Sequence, residues 1–206
     1  MLRLIFVRHG RTSWNVQGRV QGGGGLDEVG RAQAAALAGH LSGLSLEAIY
    51  ASPALRARQT AQAVALRHGL GVRQRALLRD LDYGTYAGAL LSDVEKRDPG
   101  LIQRWRANPA AVVFEGGESL ASLRERITRF IAEMAKAHDG ATVLAATHDS
   151  PVRVAASLAL GLEDSQHTQE HLQTPLASVT VLEVDGARLT LAVHKEAGHL
   201  KGIDGA

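Results

Sequence analysis

Leu2-Arg3-Leu4-Ile5-Phe6-Val7 is a short, mostly apolar run, and Arg8-His9-Gly10 ends it. Such a run reads as a buried strand. Ala48-Ile49-Tyr50-Ala51 and Thr142 to Thr147 read the same way. Helical signals fill the intervals. Asp27 can cap a helix on which Ala34, Leu37, Ala38 and Leu41 share a face. Ser52-Pro53 reads as a helix start, with Ser at the cap and Pro at the first helical position, running to about His68 before Gly69 stops it. Residues 76–83 read as either strand or loop. Residues 88–107 read as short helices broken at Pro99. From Ser119 the spacing of Leu120, Leu123, Ile127, Phe130, Ile131 and Met134 predicts a long helix, and another follows from Pro151. Near the end, Val179 to Val184 and Ala187 to Val193 flank Asp185-Gly186, a hairpin signal.

Strands alternating with helices imply a mainly parallel sheet covered on both faces. The terminal hairpin adds an antiparallel element. The expected fold is α/β: a three-layer α/β/α sandwich around a mainly parallel mixed sheet with an antiparallel C-terminal element.

Composition narrows the function. The chain has 206 residues, which favours one domain, 1–206, with about 88–117 as a lid or insertion. Hydrophobic residues make up 45% and aromatics only 4%, so the expected core is aliphatic. The formal charge of +2 comes without a dense Lys/Arg block, which argues against nucleic acid as a partner. The absence of Cys excludes disulfides, a thiol nucleophile and thiolate metal sites. No apolar run approaches the roughly 18 residues of a membrane span, and the N-terminal run is too short for a signal peptide. A cytoplasmic protein with no membrane partner is the expectation. Gly22-Gly23-Gly24-Gly25 lacks the context of either nucleotide-binding glycine motif.

In open α/β sheets, ligands bind beyond the carboxyl ends of the strands. Arg8, His9 and Gly10, with Thr12, Ser13 and Asn15, follow the first strand. Ser52 and Arg56 follow the second. His148 and Asp149 follow the strand ending at Thr147, and Asp80 and Asp82 lie near the ambiguous segment. Two Arg, two His and a carboxylate thus gather on one rim, beside helix N-termini, as a pocket for a doubly charged oxyanion. Arg8 and Arg56 can each give two charge-assisted bonds to phosphate oxygens. A neutral His can attack phosphorus through one ring nitrogen while the other donates to a backbone carbonyl. A second His can neutralise the equatorial oxygens. A carboxylic acid can protonate the leaving alcohol and then activate water.

Arg8-His9-Gly10, followed by Thr12 and Trp14-Asn15, resembles the signature of the histidine phosphatase superfamily, which includes the cofactor-dependent phosphoglycerate mutases. Further segments resemble it in order: Gln21-Gly22; Leu26, Glu28 and Gly30 to Ala34; Ser52-Pro53 with Arg56-Ala57 and Gln59-Thr60-Ala61; Leu81 to Gly84 with Gly88; Gly116 to Ser119; and Thr147-His148 with Arg153. The resemblance implies that His9 is the phosphorylated nucleophile. It places Arg8, Arg56 and His148 on the phosphoryl group, with Asn15, Gln21 and Gly22 as further phosphate-binding positions. Asp80 occupies the position of the family's acid, usually Glu. No metal and no cofactor are implied.

This sequence departs from the family pattern at several positions. Arg11 stands where Glu or Gln is usual, Ala87 where a Glu is frequent, and Asp149 where Gly is frequent, placed either to orient a neighbour or to perturb His148. Asp80 is one methylene shorter than Glu, and Asp82 lies two residues on, so either can be the acid. A metal reading of His148-Asp149 with Asp80 and Asp82 is disfavoured because Arg8 and Arg56 would repel a cation. His68, His138, His167, His171, His194 and His199 read as surface residues, Trp14 and Trp105 as packing, and Arg67 to Arg79 as a solvated face. The leading expectation is a metal-independent phosphomonoester hydrolase acting through a phosphohistidine on a small phosphorylated metabolite. The alternatives are a phosphoglycerate mutase, disfavoured by the short chain and the Asp80-Leu81-Asp82-Tyr83-Gly84 loop, and a non-catalytic phospho-ligand binder.

Overall fold

A computed structural model describes residues 1–20 and 23–203. Strands β1 (Leu2–Arg8), β2 (Ala48–Ala51), β3 (Val72–Gln74), β4 (Thr142–Thr147), β5 (Val179–Asp185) and β6 (Arg188–Glu196) form one sheet in the order β3-β2-β4-β1-β5-β6. β3, β2, β4 and β1 run parallel, whereas β5 is antiparallel to β1 and β6 antiparallel to β5. This is the mixed sheet expected from the sequence. The central strands β2 and β4 are buried almost throughout because helices cover both faces. β6, at the edge, alternates between exposed and half-buried positions.

The helices are α1 (Ser13–Val16), α2 (Glu28–Leu41), α3 (Leu55–His68), α4 (Leu91–Arg97), α5 (Leu101–Ala107), α6 (Leu120–Ala137) and α7 (Asp149–Leu160). α2 and α3 cover Ile5, Val7, Ile49, Leu144 and Val181 on one face. α6 and α7 cover Leu4, Phe6, Tyr50, Val143 and Leu182 on the other, where Val94 of α4 and Leu101 of α5 join the core. α6 buries all six of the apolar positions read from its spacing, each worth roughly 1.5–3 kcal/mol on full burial. Asp27 caps α2 through Gly30 N–H, and Ser119 caps α6 through Ser122 N–H.

Several boundaries differ from the sequence reading. α3 begins at Leu55 with Ala54 at its cap, because Ser52 is drawn toward the rim instead. α7 begins at Asp149, two residues before Pro151. Residues 76–83 form a 3₁₀ turn at Ala76–Leu78 and then irregular loop, with no strand. β3 arises within the stretch read as a solvated face; it is an edge strand of three half-buried or exposed residues, too short to show alternation. Asp185 pairs with Arg188, so the hairpin turn is Gly186-Ala187, one residue later than expected, with Gly186 at φ 58°. The alternation rules out neither register; the left-handed φ falls on the residue that tolerates it best.

One glycine sets how the first rim loop seats on α2. A Cβ on Gly30 would lie 2.0 Å from the Arg11 carbonyl oxygen, so only Gly lets the loop lie on the helix start. Among the described residues, no helix is long and apolar enough to cross a membrane.

Candidate active site

The carboxyl ends of β2, β4 and β1, adjacent in that order, place Ser52, His148 and His9 side by side. His9 N–H donates to the Thr147 carbonyl oxygen at 2.9 Å, which ties the end of β1 to that of β4. Gly10 N–H donates to Thr60 Oγ1 at 3.1 Å, which ties the same loop to α3. The rim borders a cleft of about 510 Å³ lined by Trp14, Ser52, Arg56, Asp80 and His148 among others. Trp14 therefore faces the cleft as well as packing.

His9 is buried, and its Nδ1 lies 2.8 Å from the Gly10 carbonyl oxygen. A carbonyl can only accept, so Nδ1 carries the proton and Nε2 presents a lone pair. Arg56 Nε donates to that lone pair at 3.1 Å. Arg56 Nη2 lies 2.9 Å from His148 Nδ1. A guanidinium can only donate, so the proton of neutral His148 sits on Nε2, which donates to Ser52 Oγ at 2.8 Å. The two imidazoles stand edge to face, 5.2 Å between centroids. Burial, followed by the charge of Arg56, holds both imidazoles well below their ordinary pKa, so both are neutral near pH 7.

Asp80 Oδ2 is 3.7 Å from Arg56 Nη2 and 3.8 Å from His148 Nδ1. Its other oxygen accepts from Leu81 N–H at 3.0 Å. Burial pushes its pKa up to about 6, against the opposing pull of Arg56. Asp82 is exposed, and its carboxylate closes a local turn by accepting from Gly84 N–H at 2.9 Å. Asp82 also lines the cleft, but one of its oxygens is engaged by Gly84 and the side chain is exposed, whereas Asp80 lies buried beside Arg56 and His148.

Arg8 is held from behind. Its guanidinium donates to the Thr174 carbonyl oxygen and lies 3.6 Å from Asp149 Oδ1. Asp149 also pairs with Arg153 and accepts from Thr174 Oγ1 at 2.7 Å. Burial raises the Asp149 pKa, but Arg8, Arg153 and these hydrogen bonds outweigh it and leave the value at about 2. Of the two roles open for Asp149, the geometry selects orientation of Arg8. Its carboxylate turns to Arg8, Arg153 and Thr174, which removes it from a metal set with His148.

Asn15 Oδ1 accepts from Thr12 N–H and Oγ1, both at 2.9 Å, so it completes the capping box in which Thr12 caps α1, and leaves its Nδ2 amide for an anion. Gln21 and Gly22, also expected at the phosphate, lie outside the described residues. The sequence reading names Ser52 and Thr60 without their roles and does not name Arg126. Ser52 fixes the tautomer of His148. Thr60 anchors Gly10. Arg126, on α6, donates to the carbonyl oxygens of Leu77 and Arg79 at 2.7 Å and of Asp80 at 2.8 Å, and pairs with Glu118. Arg126 adjoins Ile127 on the apolar stripe, but periodicity carries no signal for backbone carbonyls of a distant loop. His138 and His167, read as surface residues, are instead buried against Tyr50 and Trp105, and His199, also read as a surface residue, is half-buried with its ring bonded to the Ala177 carbonyl oxygen. Trp105 packs on Tyr83 and Phe114, as expected.

A model of the histidine phosphatase superfamily (branch 1) matches residues 4–197. The chain belongs to that superfamily. Among its relatives within the histidine phosphatases, phosphoserine phosphatase 1 of Hydrogenobacter thermophilus is 38% identical over 168 residues, 81% of this chain and 80% of that protein. The solved structure of Bacillus stearothermophilus YhfR superposes with a TM-score of 0.93 at 28% identity, covering 98% of this chain and 100% of that one. A mycobacterial glucosyl-3-phosphoglycerate phosphatase in complex with VO₃ gives 0.86 at 27% identity, covering 95% and 99%.

Proposed function

We propose that this histidine phosphatase hydrolyses small phosphomonoesters through a phosphohistidine on His9. The observation that carries the reading is the fixed tautomer of His9, with Nδ1–H on Gly10 and the Nε2 lone pair turned to Arg56. A phosphoryl group entering the cleft takes over the bond from Arg56 Nε, and its oxygens meet Arg8, Arg56 and the Asn15 amide; the bound dianion favours protonation of His148 at Nδ1, which then donates to it. His9 Nε2 forms the N–P bond as the P–O bond to the leaving alcohol breaks. Asp80, with its pKa of about 6, gives its proton to that oxygen. The resulting carboxylate takes a proton from water as the water attacks phosphorus. The P–N bond then breaks, returning neutral His9 and releasing inorganic phosphate.

Positive charge for the phosphoryl oxygens comes from two guanidiniums in a desolvated setting. The segment 88–117 roofs the cleft in this reading: Gly88 lines it, while Val94, Leu101, Val112 and Phe114 anchor the segment in the core. The relatives described above include two named phosphatases, which favours hydrolysis over the mutase alternative.

The test is detection of phosphorylated protein, quenched in alkaline detergent and kept alkaline throughout, after mixing with a phosphomonoester. Wild type is expected to show label on His9, and His9→Ala to show none while keeping its circular dichroism. Turnover above roughly a tenth of wild type in folded His9→Ala would sink the assignment, because loss of a nucleophile costs orders of magnitude.

A further inference from the structure

At the outer edge of the sheet, the end of β6 meets the last turn of α2 and the 3₁₀ turn Gly198–Leu200. Three side chains converge there: His40 from α2, Glu196 from β6 and His199 from the turn. Their ligating atoms all lie within 4.8 Å of one another. Glu196 Oε2 is 3.1 Å from His40 Nε2 and 3.4 Å from His199 Nδ1.

His199 makes the arrangement informative. Its side chain is 4% exposed, and its Nε2 lies 3.1 Å from the Ala177 carbonyl oxygen. That oxygen only accepts, so Nε2 carries the proton and Nδ1 of the neutral ring is a bare lone pair. The lone pair faces the carboxylate oxygen of Glu196. Both atoms are buried, and neither has a hydrogen-bond partner among the described residues. Two electron-rich atoms facing each other are repulsive unless a cation lies between them.

We propose that His40, Glu196 and His199 bind one Zn²⁺ ion. Two imidazoles and one carboxylate are a common zinc donor set, with a water as fourth ligand. With zinc–ligand bonds of about 2.0–2.1 Å, the edges of a tetrahedron measure about 3.3–3.4 Å, close to the separations of Glu196 Oε2 from the two ring nitrogens. The His40 ring stacks on that of His199, 4.8 Å between centroids and 17° between planes, so His40, whose side chain is 40% exposed, must turn out of the stack to bring its Nε2 lone pair onto the ion. The bond from His199 Nε2–H to a backbone carbonyl is the outer contact that fixes the tautomer and orientation of zinc-bound histidines. The other oxygen of Glu196 accepts from Gly198 N–H at 2.7 Å, which holds the carboxylate in place. Among the described residues Glu196 pairs with no Lys or Arg, in contrast to the guanidinium-lined cleft. The ion would staple the end of α2 to the end of β6. The family resemblance implies no metal, and this site lies outside the reacting groups.

The experiment is a Zn²⁺ titration of EDTA-stripped protein by calorimetry, with thermal unfolding alongside. Wild type is expected to bind one equivalent, and His9→Ala to bind it equally. His40→Ala and Glu196→Gln should each weaken binding by at least about tenfold. At a hundredfold excess over Kd, zinc should raise the wild-type Tm by about 5 °C and leave that of His40→Ala unmoved. His40 is exposed, so its replacement does not threaten the fold. No zinc bound by wild type, equal binding by His40→Ala and Glu196→Gln, or loss of binding in His9→Ala would each overturn the proposal.

Discussion

Asp80 Oδ2 lies 3.7 Å from Nη2 of Arg56, yet the Asp80 carboxyl titrates at about 6 because burial outweighs the guanidinium. A carboxyl so placed is partly protonated near neutrality. The cleft thus separates its charges: Arg56 stays cationic for the phosphoryl group, and Asp80 keeps a proton for the leaving oxygen.

A poor alkoxide must be protonated as it departs, whereas a nitrophenolate scarcely needs help. Asp80→Asn is therefore expected to slow an alkyl phosphate by about 10²-fold or more in single-turnover phosphorylation, and nitrophenyl phosphate far less. Asp82→Asn should show no such split. For the alkyl ester, wild-type kcat/KM should fall above a pH of about 6 as Asp80 loses its proton, and this limb should vanish in Asp80→Asn. A bound dianion raises the Asp80 pKa further, so the limb in kcat should sit at higher pH. A leaving-group split in Asp82→Asn instead would move the acid two residues along.

The same shift has a stability consequence. The folded pKa of about 6 exceeds the ordinary 3.8, so Asp80's contribution is fully present below about pH 3.8 and lost as pH rises through 6. At pH 8 its carboxylate costs about 2–3 kcal/mol. Asp80→Asn should therefore be the more stable protein at pH 8, by about 2 kcal/mol, with the gap closing toward pH 4. Urea unfolding across that range reads it directly. A variant less stable than wild type at pH 8 would contradict the burial argument.

Particular residues show where sequence reading reached and where it stopped. Leu2 to Val7 and Thr142 to Thr147 were legible as strands because burial on both faces demands continuous apolar runs. α6 was legible because its six core positions repeat at helical spacing. Arg8, His9, Arg56 and His148 were legible because each immediately follows a strand or opens a helix at the carboxyl edge. β3 was not, since three residues on an edge need no pattern. The choice between Asp80 and Asp82 turns on burial and partners, which two carboxylates so close in a loop do not reveal in sequence; burial beside Arg56 favours Asp80. Arg126 was illegible because its partners are carbonyls, which every residue offers alike.

Arg126 gives a prediction of its own. Its guanidinium gathers three carbonyls of the loop that ends in Asp80. Arg126→Gln strands them and should cost about 2–4 kcal/mol of stability. If Arg126 also positions Asp80, the folded variant should reproduce the leaving-group split of Asp80→Asn in weaker form, and Arg126→Lys should recover part of it. Equal slowing of alkyl and nitrophenyl esters would confine Arg126 to stability.

Catalysis is expected to survive exhaustive EDTA treatment. The guanidiniums of Arg8 and Arg56 supply the positive charge that metal ions bring to phosphoryl transfer in other enzymes. Chelation would empty the edge site of His40, Glu196 and His199 and lower Tm, while kcat/KM at 25 °C should change less than about twofold. Activity lost on chelation and restored by a divalent cation would place a metal in the reaction itself.

Arg79 should select among substrates. It is exposed, it borders the same cleft as Asp80, and its guanidinium forms no ion pair among the described residues. A second anionic group on the leaving alcohol would find a partner there. An exposed pair contributes up to about 1 kcal/mol, so Arg79→Ala should raise KM about fivefold for phosphoserine. Ethyl phosphate, which has no second anion, should keep its KM. Both substrates should keep kcat, because Arg79 meets no group whose charge changes in the transition state. The effect should also shrink as salt rises, since the contact is open to solvent. Equal KM increases for the two esters would show that Arg79 acts on the phosphoryl group or on the loop rather than on the rest of the substrate.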